Sequence, residues 1–141
     1  MVPFDWINQI YGIIKEAQWH TFVVLTKWPE RLVKTLSIPC PDTPLPNVWH
    51  LTSVENQETW DKRVPEILKL RQHGWPILGV SVEPMLGRII PFGVEKLDWV
   101  IIGGQSPPSA LQPEKDWVLR LEEQACGGPV FEKNTLRPVM G

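Results

Sequence analysis

Five times along this chain an apolar, mostly β-branched run ends abruptly on a polar residue: Lys27, Glu55, Glu83, Gln105 and Lys133. The intervals are 28, 28, 22 and 28 residues, about the length of one strand, one helix and their connections. The triplet Ser-Val-Glu even recurs, at 53–55 and 81–83, closing two of these runs. A unit of this length that returns the chain to a neighbouring strand is a βα unit, and right-handed crossovers make every strand parallel. The spacing therefore predicts an α/β protein of about five parallel strands alternating with helices. At 141 residues it is read as one domain covering the whole chain, 1–141.

The local patterns fill in the units. Strands are expected at 20–27, 48–55, 76–83, 97–104 and 129–134. In 3–18, Phe4, Ile7, Ile10, Ile14 and Ala17 recur at helical spacing, with Pro3 suited to the first turn. Pro29 can open a second helix with Leu32, Val33 and Leu36 inward. The segment 56–74 reads as a helix restarted at Pro65, with Val64, Ile67, Leu68 and Arg71 in one stripe and Gly74 as its left-handed stop. A last helix from Pro113 to Cys126 turns Trp117, Leu121 and Ala125 inward. The stretch 37–47 holds four prolines and reads as an irregular loop. The continuous apolar character of HTFVVLTK (20–27) predicts a first strand covered on both faces. Trp6, Trp60 and Trp117, three of eight tryptophans, are expected on inner helix faces.

Composition narrows the function classes. A net charge of −2 gives no electrostatic case for nucleic acid or an anionic membrane. The apolar runs are far shorter than the ~18 residues of a membrane span, and MVPFDWINQ has no signal-peptide character, so a cytoplasmic protein is expected. Two cysteines, Cys40 and Cys126, and three separated histidines make no recognisable ligand spacing, so no metal site is expected from this chain's own residues.

Ligands of singly or doubly wound parallel sheets bind outside the strands' carboxyl ends. The recurring polar residues fall there, and they define a candidate rim for a small-molecule ligand. Lys27 can take an anion or, desolvated, serve as an amine base. Glu55 and Glu83 end two neighbouring strands, although a carboxylate before Asn56-Gln57-Glu58 can equally serve a helix N-terminus. The Gly103-Gly104-Gln105-Ser106 loop can expose backbone N–H groups to an anion, or can simply be a turn, since it is no G-x-G-x-x-G fingerprint. Strand alternation sends Glu132 and Lys133 to opposite faces, and Lys133 is favoured for the rim. Trp28, beside Lys27, can stack a planar group or pack.

The set LTKWPERL, NVWHLTSVENQETWDKRVPEIL, VSVEPMLGRI, LDWVIIGGQSP and PVFEKNTL, in this order, resembles the carboxyl-terminal part of the phage-associated three-cysteine-motif proteins. Those in turn resemble radical S-adenosylmethionine enzymes such as spore photoproduct lyase. The resemblance runs from about Trp6 to Met140 and implies part of a TIM-like barrel. It implies rim roles for Thr26, Lys27, Ser53, Glu55, Asn56, Ser81, Glu83, Gly103 and Gly104. Trp28 and Gln105 depart from the arginine and glutamate usual in that family. The family's upstream cysteine triplet is absent here. An iron–sulfur cluster needs about three neighbouring thiolates, which Cys40 and Cys126 do not supply, so S-adenosylmethionine and the cluster are implied only for longer family members.

Five strands do not close a barrel of eight, so an open half-barrel with bare edges is expected. The amino-terminal helix, a second copy, or an N-terminal complementary segment is expected to shield it. Three functions follow in order: a catalytically incomplete ligand-binding half-barrel, an interaction module using a bare edge or its tryptophans, and a hydrolase using Glu55 with Glu83.

Overall fold

A computed structural model describes residues 2–37, 44–106, 110–125 and 128–141. The elements run α1 (Phe4–Glu16), β1 (Phe22–Thr26), α2 (Pro29–Leu36), β2 (Val48–Val54), α3 (Gln57–Leu68), β3 (Ile77–Val82), β4 (Trp99–Ile102), α4 (Lys115–Gln124), β5 (Val130–Glu132) and α5 (Arg137–Met140). The strands form one open sheet in the order β1-β2-β3-β4-β5, every pair parallel. Cys40, Cys126 and most of the proline-rich 37–47 stretch lie outside the described residues.

The unbroken strand order decides how the sheet is covered. Right-handed crossovers that always advance in one direction place all their helices on one face. That face carries Val48, Val54, Leu78, Val80, Val82, Val100 and Ile102, all buried. Leu32 of α2, Trp60, Val64 and Ile67 of α3, and Val118 and Leu121 of α4 bury against it in two adjoining clusters. Each fully buried aliphatic or aromatic side chain contributes roughly 1.5–3 kcal/mol, so this single interlayer core carries most of the fold's stability. Asn56 caps α3 through its side-chain oxygen, and the helix continues through Pro65 instead of restarting there. Five residues of 3₁₀ helix, Lys69–His73, then lead to Gly74 at φ 81°.

No helix among the described residues covers the opposite face. Val23 and Leu25 of β1 and Phe131 of β5 are 55%, 53% and 54% exposed. The expectation that β1 is buried on both faces is thus corrected: its residues alternate, with Phe22 and Val24 turned to the helices. An apolar run shows that no position repels a core, but it does not show that a second layer exists.

On the open face, two glycines let side chains two strands apart meet. Neighbouring strands lie about 4.8 Å apart, so residues two strands apart start roughly 9.6 Å from one another. Trp49 of β2 and Trp99 of β4 nevertheless stack with centroids 5.3 Å apart and planes at 26°. Between them, on β3, sits Gly79, where a Cβ would come within 2.7 Å of the Trp99 carbonyl oxygen and 3.0 Å of Leu51 Cγ. Any side chain there would have to displace backbone.

Helix α1 packs on the helix-covered side through Ile14, and Tyr11 Oη lies 2.7 Å from His50 Nε2. The Asn47 side-chain amide donates to the carbonyls of Ile14 at 3.3 Å and His20 at 3.0 Å, tying the helix end to the start of β2. The contact stripe is narrow. Trp6 and Ile10, expected inward, are 60% and 49% exposed, because the Tyr11–Ile14 edge makes the contact in their place. Trp60 is buried as expected, and Trp117 is packed partly buried against the core.

His50 is fully buried beside Trp75, and its Nδ1 has no hydrogen-bond partner. Burial lowers its pKa to about 3 and raises that of Tyr11. The unfolded chain therefore binds a proton at His50 below about pH 6.5 that the folded chain refuses until about pH 3. This contribution to stability is complete above pH 6.5 and is lost as the pH falls through that window. We predict that urea unfolding between pH 6.5 and 4 shows a loss of about 1.4 kcal/mol per pH unit from this site. His50→Gln flattens the pH dependence by that amount; an unchanged slope would contradict a neutral, buried imidazole.

Candidate functional site

Residues 27, 55, 83, 103 and 133 follow successive strands, in the same alternation as the open-face residues 25, 53, 81, 101 and 131. The structure accordingly brings Lys27, Glu55, Glu83, Gly103 and Lys133 to the carboxyl edge of one sheet. Lys27 Nζ lies 2.8 Å from Glu55 Oε1, and Arg63 Nη1 lies 3.0 Å from Glu55 Oε2. Arg63 also donates to the Ser53 carbonyl at 2.7 Å, which fixes the guanidinium between α3 and the end of β2. Both oxygens of Glu55 are engaged by cations.

The second ion pair spans a strand. Lys133 Nζ lies 2.7 Å from Glu83 Oε1 and 2.9 Å from Oε2, although β4 separates β3 from β5. Glu83 reaches across Gly103: a Cβ on that glycine would sit 3.0 Å from Glu83 Cγ and 3.1 Å from its Oε1. Gly103 therefore acts as Gly79 does two layers lower, by placing no side chain in the space above it.

The remaining rim residues have assigned local duties. Ser53 and Ser81 are buried at paired positions beneath Glu55 and Glu83. Thr26 Oγ1 accepts from the Trp28 amide at 3.0 Å, and Asn56 caps α3. The Gly103 amide donates to the Val82 carbonyl and the Gly104 amide to Thr135 Oγ1, each at 3.0 Å. Those two N–H groups are thus spent internally. A Cβ at Gly104 would overlap the Gln112 side chain and stand 3.0 Å from the Thr135 carbonyl. Gln105 and Ser106 are exposed at the rim, and so is Trp28, at 70%. Glu132 turns to the helix side, where burial and then its hydrogen bond and charge raise Glu122 of α4 to about 7.

Sequence reasoning missed Arg63, Thr135 and Gln112. The signal for Arg63 was present: on a helix starting at Gln57 it lies near the second turn, within reach of the strand end that precedes the helix. Nothing in the sequence marks Thr135 as the partner of Gly104. Among the described residues no group of three His, Cys, Asp or Glu is placed to hold a metal ion. No described helix is long and apolar enough to cross a membrane.

Fold and rim together define a singly wound parallel α/β protein, helices on one face, with ion-paired side chains at the carboxyl edge of the other. The family model described as "protein of unknown function (DUF5131)" matches residues 1–131, and the chain belongs to that family. No curated protein and no solved structure matches it.

The two cations on Glu55 are not equivalent. Lys27 is 54% exposed, so its pair is worth at most about 1 kcal/mol. Arg63 is 18% exposed, and a charged hydrogen bond there contributes about 1.5–3 kcal/mol. Double-mutant cycles by urea unfolding with Glu55→Gln, Lys27→Met and Arg63→Met are expected to give the larger coupling for Arg63. Equal couplings would contradict this geometry.

Proposed function

We propose that this chain is the ligand-holding half of a barrel like those of radical S-adenosylmethionine enzymes of phage-associated type, with the rim binding a small molecule that carries both an anionic and a cationic group. The observation that supports this reading is the gathering of Lys27, Glu55, Glu83 and Lys133 at one carboxyl edge of one sheet face. With Arg63, the rim has three cations against two carboxylates. An excess of one positive charge favours a ligand carboxylate or phosphate at the exposed Lys27, while Glu83, engaged by Lys133 through both oxygens, would take a ligand ammonium at its remaining acceptor positions. Trp28, exposed beside Lys27, offers a face for a planar group.

Two cysteines do not meet the needs of an iron–sulfur cluster, and no reaction step is assigned to one. An S-adenosylmethionine-like ligand still fits the residues present, since its amino-acid end carries both charges the rim complements. The carboxylate-pair hydrolase is the weaker reading. Glu55 accepts from two cations and Glu83 holds Lys133 with both oxygens, so neither is poised as a free general acid or base.

Isothermal titration with S-adenosylmethionine tests the proposal. Saturable binding is expected, weakened at least about tenfold, or 1.4 kcal/mol, by Lys27→Met and by Glu83→Gln in variants that keep the native circular dichroism. The absence of binding at millimolar ligand would remove S-adenosylmethionine, and binding indifferent to both substitutions would remove the rim.

A further inference from the structure

We propose that the open face holds a subsite for an uncharged ligand group one layer beneath the rim, where the hydroxyls of Ser53 and Ser81 take the vicinal diol of a ring such as a sugar. The inference goes beyond the zwitterion reading and stands or falls without it.

The buried polar side chains among the described residues are Thr35, His50, Thr52, Ser53 and Ser81. Three of them are engaged within the protein. Thr35 Oγ1 donates to the Arg31 carbonyl at 2.9 Å, Thr52 Oγ1 donates to the Thr26 carbonyl at 3.1 Å, and His50 Nε2 meets Tyr11. Ser53 and Ser81 are 4% and 3% exposed, yet their hydroxyls have no hydrogen-bond partner among the described residues. Polar groups held this far out of bulk water normally have one, because leaving them bare is costly. Neither oxygen is fully sealed from solvent, and strand alternation turns both side chains to the open face. Two unsatisfied hydroxyls therefore look onto the same patch from neighbouring strands.

Ser53 and Ser81 are register partners on β2 and β3, so their side chains start about 4.8 Å apart. A vicinal diol spans that gap with one hydrogen bond of about 2.8 Å to each serine. The charges around the pair select a neutral group. Glu55 and Glu83 follow two residues further along the same strands, directly above the serines, and disfavour a ligand anion there. Both carboxylates are already paired with Lys27, Arg63 and Lys133, which removes most of their pull on a ligand cation. A diol both donates and accepts, as each serine does, whereas a carbonyl only accepts. Ile101, half-buried beside Ser81 on β4, offers apolar contact to the ring carbons.

Anhydroerythritol, an uncharged five-membered ring ether bearing one cis diol, is the probe, and tetrahydrofuran, the same ring without hydroxyls, is the control. Amide chemical-shift titration is expected to show saturable shifts at Ser53 and Ser81 with the diol and none with the control. A dissociation constant in the millimolar range is expected for so small a ligand. Ser53→Ala and Ser81→Ala, each with native circular dichroism, are expected to weaken the diol at least about fivefold, the worth of one hydrogen bond. Should either variant unfold, nuclear Overhauser contacts in the wild-type protein decide: ring protons close to the Ser53 and Ser81 β-protons support the subsite, and contacts confined to other surfaces overturn it. The absence of saturable shifts, an equal response to tetrahydrofuran, or unchanged affinity in a folded serine variant also overturns it.

Discussion

Contacts between side chains two strands apart govern the open face, and two glycines allow them. Without a side chain at 79, the Trp49 and Trp99 indoles meet over β3. Without one at 103, Glu83 lies over β4 and reaches Lys133. The backbones of such positions start about 9.6 Å apart, a gap that the long Trp, Glu and Lys side chains span when the strand between them carries glycine. Side-chain reach turns a row of strand ends into a mouth, and the charged side chains that follow the strands become neighbours in space.

The helix-covered face is what allows this. Its core joins residues of all three crossover helices to the central strands. The same winding that gathers the helices on one side leaves the other side bare. The site at the mouth and the open face below it are therefore two results of one topological choice, a strand order that never turns back.

Much of this was legible in the sequence, for identifiable reasons. The interval between Lys27, Glu55 and Glu83 fixes the βα unit, and parallel strands follow from handedness. Strand alternation also separates Glu132 from Lys133, and the structure places them on opposite faces. The failures have a common cause. Periodicity reports which residues can be buried, not whether anything is there to bury them, so β1 read as doubly covered and α1 as inward at Trp6 and Ile10. Gly103 and Gly104 read as a turn or an anion loop, and only coordinates show both amides donating within the protein. Arg63 escaped notice because a cation on a helix flank looks like any solvated residue until the strand end it reaches is placed.

The mouth depends on Glu83, at the end of β3, meeting Lys133, at the end of β5, across β4. A charge exchange tests it most directly. Glu83→Lys and Lys133→Glu, made singly, each set two like charges against one another and are expected to lower the urea unfolding midpoint. Made together they restore the pair in reverse, and the midpoint is expected to recover most of the loss. Simple additivity of the two losses would mean that these side chains, 50 residues apart in the chain, do not meet, and the mouth would be no more than a row of separate strand ends.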